Sequence, residues 1–558
     1  RMGCVAFHYD MLGNADSLQF PKHRRLTPGE KGESWLMGGA DAANWLHSRM
    51  GLQTWNSVRA LDFVIGLPDV DASRVGVSGA SGGATQTMMV TAIDPRVRVA
   101  FPAVMVSTAM QGGCLCENTY YLRIGQGNID IAATTAPRPL GVTVADDWTK
   151  ELATKGHPDL QAVYKMLGAP TNYEAHFNPQ FKHNYNHVSR SQLYGFLNKY
   201  FKLGLEGPVL EKDFKFLACE SLSVWDEKHP APSGQAVGDP HERSLCKWWA
   251  DDTRGQMKAL LAPADAASLE RARGVIGKAV SVMVGRGMWG TNETEYLIHE
   301  ERSGRGWSLS AGTLRHKPTG EEVGLALVRQ PSEKEGGPAI KGAVLVLSPE
   351  GSDDLMEDPG RPTKMVETSL SAGWAVAAID VHRPGAKWNR RVVEPKTKPE
   401  DPWQRDAILT YAYNSPLFIQ RVHDVMTAVS WLRGDSPVKG TKIRLVGMDG
   451  AGHLAAVAAA TIGDDIERSA IDVGGFQFAS LRSPWAADFL PGAAKYGDVG
   501  GMLLLLAPRP LWLTGVGEGV ANNIKGAYAV AGAEGSFVFE AQKIADPAGR
   551  ATEWILRD

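Results

Sequence analysis

Ser81 lies at the centre of Gly79-Ala80-Ser81-Gly82-Gly83, a GxSxG pentapeptide, and that setting makes it a candidate nucleophile for acyl transfer. The apolar residues Val75 and Val77 lead in and the helix-compatible run 84–92 leads out, so the spacing predicts strand, sharp turn and helix. Glycines two before and two after the serine keep Cβ atoms out of a turn that would otherwise collide with itself. A serine raised on such a turn faces any developing oxyanion with the N–H of Gly82 and the positive end of the new helix. Ser78, in the shifted frame 76–80, is a rival that still lies on the strand and lacks the second glycine. A Gly/Ser turn without chemistry is the bland alternative for the whole stretch.

A serine nucleophile needs a histidine to take its proton and a carboxylate to orient that histidine, and after a turn of this kind they follow in the order acid, histidine. The apolar run 139–145 ends in Asp146-Asp147-Trp148-Thr149, and on spacing alone either aspartate serves. Residues 172–177 read as the last strand. The loop behind them carries Lys182-His183-Asn184-Tyr185-Asn186 ahead of an amphipathic helix over 190–201. His183 holds the expected place of the base, with His176 inside the strand and His187 at the helix start as alternates. Glu117 offers a further carboxylate, with a structural loop role as its plainer reading.

The elements that must position these residues recur along the chain. Residues 3–10 (GCVAFHYD), read as an apolar strand ending in an aspartate, match residues 373–380 (GWAVAAID), 370 positions on. Residues 136–140 (APRPL) return letter for letter at 507–511, 371 positions on, and the glycine-rich turn at 442–452 aligns Asp449 on Ser81 at an offset of 368. Three matches in one order at nearly one offset predict two tandem copies of one α/β domain, each a mostly parallel sheet flanked by helices such as 54–65 and 419–432. The expected division is a catalytic domain over 1–205, a partly helical connector over 206–275, with Trp248 and Trp249 as packing anchors, and a second, degenerate domain over 276–558. That second copy is expected to begin near Val280 with strand-like pieces at 295–300, 322–329 and 342–348. Subtracting the offset implies that about 90 residues of the first copy precede residue 1, including the strand and loop that complete an oxyanion hole.

The second copy lacks the chemistry. Asp449 replaces the serine, Ala451 stands at the second glycine, the strand matching the acid ends without an aspartate at 514–518, and no histidine follows His453. A structural partner is the expected role, with an aspartate nucleophile or a modified carbohydrate-binding pocket as the alternatives considered.

Composition narrows the rest. The net charge is −3, from 59 basic and 62 acidic residues without a Lys/Arg stripe, which argues against a nucleic-acid partner. The most apolar run, 502–513, is broken by Pro508, Arg509 and Pro510, so no membrane span is expected. Five cysteines (Cys4, Cys114, Cys116, Cys219, Cys246) are read as too few and scattered for a disulfide framework or a zinc site. Cys219 with Cys246 is the better pair in an oxidising compartment.

The elbow VGVSGASGG, the segment GGCLCEN (112–118), APRPL followed by DDWT, and HNYN together resemble a bacterial α/β-hydrolase group of acetyl xylan esterase-like proteins, often of tandem build, over most of residues 1–205. The resemblance implies Ser81 as nucleophile, Asp147 as triad acid and His183 as base, with no metal or organic cofactor. It also implies an exported enzyme acting on acetyl or similar esters of plant polysaccharide. Trp35, Trp45, Trp55 and Trp148 could then line a sugar-stacking surface. Where the group has a small residue or Gly before the aspartate, this chain has Asp146. The alternatives are a prolyl-oligopeptidase-like serine peptidase and a non-catalytic carbohydrate-binding protein.

Overall fold

A computed structural model of the chain describes residues 2–20, 23, 34–331, 339–381, 407–541 and 546–557. Two compact units emerge, one of Arg1–Lys247 with Pro399–Asn414 and one of Trp248–Lys398 with Ser415–Asp558.

The sheet of the first unit contains β1 (Gly76–Ala80), β2 (Val99–Ala103), β3 (Leu140–Ala145) and β4 (Tyr173–Asn178), in that order and all parallel. The sequences VAFPA and LGVTVA have no polar face, as expected of strands covered on both sides, and every residue of β2 and β3 is buried. The short helix α1 (Ala40–Asn44) packs apart from the sheet, its Ala42 beside Leu12, Phe20 and Met37, whereas three helices cover one face of the sheet: Ala100, Leu140, Val142 and Val144 meet Ala84 and Met88 of α3 (Gly82–Ile93), Ile129 and Ile131 of α4 (Asn128–Ala133) and Leu160 and Tyr164 of α5 (His157–Met166). Helix α2 (Arg49–Ile65) joins that side through Leu61, against Val75 and Val90. The other face takes α6 (His187–Phe201), whose Phe196 and Phe201 pack on Val99 and Phe101. Each such buried apolar side chain contributes roughly 1.5–3 kcal/mol. The strand β1 lies at the edge of this sheet and is only part-buried.

In the second unit nine strands run β15-β14-β13-β12-β8-β11-β7-β6-β5. Here β5 (Thr294–Gly304), β6 (Trp307–His316) and β7 (Glu322–Arg329) form an antiparallel wing. The strands β8 (Gly342–Leu347), β11 (Trp374–Asp380), β12 (Lys442–Gly447), β13 (Arg468–Asp472), β14 (Leu511–Thr514) and β15 (Phe537–Glu540) are parallel to their neighbours in that group, with β11 antiparallel to β7. The short β9 (Met356–Asp358) and β10 (Arg361–Pro362) pair only with each other.

The repeated APRPL segments do one mechanical job in each unit. Arg138 sends its guanidinium to the carbonyls of Thr91 (2.8 Å) and Val97 (2.9 Å), at the end of α3 and the entry to β2. The Tyr164 hydroxyl donates to the Arg138 carbonyl at 2.7 Å. Arg509 likewise donates to the carbonyls of Gly463 (2.6 Å) and Ala459 (3.1 Å), and Tyr528 donates to the Arg509 carbonyl.

Several expectations change. Residues 3–10 form no strand, and among the described residues β1 pairs only with β2. Val280 lies in a helix, Lys278–Val284, and the first strand of the second unit begins at Thr294. Trp248 is 63% exposed rather than a packing anchor. It follows Lys247 on the helix Gly238–Leu261, and adjacent helical residues point about 100° apart, so Trp248 and the part-buried Trp249 cannot share one inward face. Cys219 is exposed, Cys246 is buried, and both are free thiols. Among the described residues no helix is long and apolar enough to cross a membrane.

Replacing Arg138 with Met should leave carbonyls of α3 and β2 short of donors, at about 1–3 kcal/mol. Hydrogen exchange should accelerate at the amides of α3 and β2 while those of β12 and β13 in the second unit stay unchanged; equal acceleration everywhere would show that Arg138 has no local bracing role.

Candidate functional site

In a parallel sheet every strand ends at the same edge, and three candidate residues follow three strand ends: Ser81 directly after β1, Asp147 after β3 and His183 in the loop after β4. Ser81 has φ 56° and ψ −121°, a conformation that L residues rarely adopt. Its N–H donates to the Ala103 carbonyl at 3.1 Å, and its own carbonyl accepts from Ala84 N (2.9 Å) and Thr85 N (3.1 Å). Gly79 is required, because a Cβ there would stand 2.5 Å from the Gly83 carbonyl oxygen and 2.9 Å from Gly83 Cα. Gly83 differs from its expected role: a Cβ on it would meet open space. Gly82 opens α3, so its N–H is one of those a helix leaves without an intrahelical acceptor.

Asp147 and His183 come together, with His183 Nδ1–H donating to Asp147 Oδ2 at 2.8 Å. The other carboxylate oxygen accepts from Thr149 N (2.7 Å) and Thr149 Oγ (2.5 Å), and the Asp147 side chain is 5% exposed. The imidazole also lies against Trp148, ring centroids 4.5 Å apart, which places Trp148 against His183 rather than on open surface. Asp146 turns outward to Lys182 and Lys150, and the Lys182 ammonium holds its carboxyl below the usual range. The segment HNYN divides its work: Asn184 Oδ1 accepts from Asn186 N (2.8 Å), Tyr185 meets Ser78 (2.6 Å), and Asn186 caps α6 by accepting from Val188 N and Ser189 N.

The rivals have other occupations. Ser78 donates to the Phe101 carbonyl at 2.9 Å and is a brace for Tyr185. His176 sits within β4, where burial lowers its pKa, and His187 is the first residue of α6. Trp45 is buried, Trp35 packs against the cluster of Leu12, Phe20 and Met37, and Trp55 is exposed.

The loop 112–118, in which the sequence suggests a structural role for Glu117, lies beside the elbow, and what sequence reasoning missed is its grouping with His23. Glu117 Oε2 accepts from Gly113 N (2.8 Å) and Cys114 N (3.0 Å), and Asn118 Nδ2 donates to the carbonyls of Gly112 and Cys114, both at 3.0 Å. The loop so folded brings Glu117 Oε1 and Cys116 Sγ to 3.4 and 3.7 Å from the position of a Cβ on Gly82, beside Met11 Cε at 3.5 Å. It also gathers Cys114 and Cys116 with His23. The Cys116 thiol donates to Cys114, which lowers the Cys114 pKa and raises that of Cys116. The available signal was the Cys-x-Cys spacing, whose histidine partner lies 91 positions away.

In the second unit Asp449 also has a positive φ, 53°, after β12, and Gly452 is required because a Cβ would strike the Asp472 carbonyl. Burial and the carboxylates of Asp354 and Asp472 raise the Asp449 pKa. His453 is fully buried, stacked on Phe476 at 3.9 Å and 3.4 Å from Asp488 Oδ1.

No family model and no curated protein matches the chain. Solved structures that match include a methylesterase, at 25% identity over 43% of this chain with a TM-score of 0.32. The chain spans about half of that protein's length, 53%. A Bacteroides fragilis protein described as an acetyl xylan esterase matches at 12% identity, covering 55% of this chain and 83% of its own, with a TM-score of 0.41. A glucuronoyl esterase from Solibacter usitatus matches at 15%, over 52% and 93%, with a TM-score of 0.35. These neighbours are esterases, and at such scores the likeness carries no further argument.

Gly79→Ala should lower the melting temperature of the first unit, since backbone must shift to admit the methyl group. Gly83→Ala should be neutral or raise it, by up to about 1 kcal/mol of helix propensity. A larger loss in Gly83→Ala than in Gly79→Ala would contradict this account of the turn.

Proposed function

We propose that the first unit is a serine carboxylic-ester hydrolase, with Ser81 as nucleophile, His183 as general base and then acid, Asp147 as the orienting carboxylate and Gly82 N–H as one oxyanion donor. The observation that carries this reading is the Asp147–His183 pair at the sheet edge where Ser81 ends β1 in a strained turn. With Nδ1–H held by Asp147, the Nε2 lone pair is the one left to accept the serine proton. Ser81 Oγ then attacks the ester carbonyl. The proton passes from His183 to the departing alcohol, and water, activated by the same imidazole, releases the acid. The mechanism needs no metal or organic cofactor for the acyl transfer itself. Carbohydrate esters of the acetyl xylan type are the proposed substrates, on the strength of the sequence motifs.

We also propose that the second unit is a degenerate copy of the first. Support comes from the parallel strand order β12-β13-β14-β15 beside β1-β2-β3-β4, from the positive φ shared by Ser81 and Asp449, and from the matching Arg138–Tyr164 and Arg509–Tyr528 braces. His453, stacked against Phe476, is taken up by packing, and no later histidine exists to serve as a base.

Intact-mass labelling with a fluorophosphonate tests both proposals. One adduct is expected, lost in Ser81→Ala. Asp147→Asn should reduce hydrolysis of acetylated xylo-oligosaccharides on the order of 10,000-fold, whereas Asp146→Asn should change it little. An adduct that survives in Ser81→Ala, or equal losses in the two aspartate variants, would sink the assignment.

A further inference from the structure

We propose that His23, Cys114 and Cys116 form a binding site for one thiophilic divalent cation of the zinc type, held by His23 Nε2 and the two Sγ atoms with a fourth coordination position open. The inference is independent of the hydrolase reading.

The three ligand atoms lie within 4.8 Å of one another, and His23 Nε2 is 3.7 Å from Cys114 Sγ. On a tetrahedron with Zn–S of about 2.3 Å and Zn–N of about 2.0 Å, ligand atoms stand about 3.5–3.8 Å apart, so the cluster needs little contraction. Orientation agrees with distance. His23 Nδ1 is 2.6 Å from the Leu12 carbonyl, and a carbonyl only accepts, so Nδ1 carries the proton and Nε2 turns its lone pair toward sulfur. That outer hydrogen bond is the arrangement that aims metal-binding imidazoles. A second anchor holds the His23 backbone, whose carbonyl accepts from Arg49 at 3.0 Å, and Arg49 is itself paired with the buried Glu242.

The cysteines are held just as firmly. Both are 4% exposed, and their loop is folded around Glu117 and Asn118 by bonds in which neither thiol takes part. The ligands are therefore positioned before any ion arrives, which limits the ordering that binding requires. Two sulfurs and an imidazole select a soft or borderline cation over magnesium or calcium. On binding, the thiol protons pass to solvent, and two thiolates with a neutral imidazole balance the doubly charged ion. The three-ligand set, one short of a closed structural site, leaves a place for water or another oxygen ligand. Cys116 lies beside the elbow, its Sγ 3.7 Å from the Cβ position of Gly82.

The test uses the full chain, reduced, stripped with chelator and titrated separately with Zn(II) and Co(II), in a Cys4→Ser/Cys219→Ser background that removes the exposed thiols. One equivalent should bind, and the cobalt form should show thiolate-to-metal charge-transfer absorption that weakens in Cys114→Ser and again in Cys116→Ser. His23→Gln, which keeps both thiols, should weaken zinc binding at least about 10- to 100-fold. Circular dichroism establishes that each variant is folded, and His23→Gln decides the matter where a cysteine variant is not. A folded, reduced chain that takes up no zinc would overturn the proposal. So would full retention of one equivalent in His23→Gln, or a Cys114–Cys116 disulfide that forms equally with and without zinc.

Discussion

Everything at the site depends on the chain passing from β1 into α3 through one residue, Ser81, at φ 56° and ψ −121°. Such a conformation costs about 1–3 kcal/mol and persists only where its surroundings over-determine it. Here they do. The Ser81 N–H is bonded to Ala103, its carbonyl receives two helical N–H groups, and the register of β1 on β2 is unbroken over five residues. Net worths of about 0.5–1.5 kcal/mol for each hydrogen bond, added to the burial of Ala84, Met88 and Val90 on α3, exceed the strain. The absence of a side chain on Gly79 is what lets the two arms of the turn approach within contact distance.

In the loops that follow β3 and β4, DDWT and HNYN give a separate job to each residue. In DDWT, Asp146 answers two lysines in solvent, Asp147 holds the imidazole, Trp148 supports its face and Thr149 fixes the carboxylate through two bonds. In HNYN, the histidine is followed by a turn-forming Asn, an anchoring Tyr and a helix cap. An imidazole fastened this way loses little further freedom when a proton must be moved, which is the advantage of preorganisation. The cost falls on replaceability, since a change at Thr149 reaches His183 through Asp147 and a change at Trp148 removes the ring packed against it.

How much of this was legible in the sequence follows from the range of the forces involved. The elbow, the strands β3 and β4, and the helices 54–65 and 419–432 are set by local pattern, and the structure contains elements at all of them. The choice between Asp146 and Asp147 was not local. It is made by Lys150 and Lys182 on one side and by Thr149 and His183 on the other, which spacing alone does not weigh. The grouping of His23 with Cys114 and Cys116 was invisible for the same reason, as it depends on Glu117 and Asn118 folding one loop and on Arg49 and Leu12 holding another. Residues 3–10 carry a strand-like pattern without a ladder partner among the described residues, and pattern by itself does not supply one.

In each unit the contacts that brace the sheet are distinct from the side chains at its edge. Arg138 and Arg509, with Tyr164 and Tyr528 behind them, brace the helix end that precedes the next strand in each unit, and both braces are intact. Such contacts are part-buried and give these carbonyls donors that their loss would remove. At the strand ends the constraint is weaker. Side chains there face the edge rather than the core, and the second unit carries Asp449 at a positive φ after β12, with no histidine after His453 in the sequence. The arginine brace is present in both units while the residues that follow β1 and β12 differ, as that difference in energetic constraint allows.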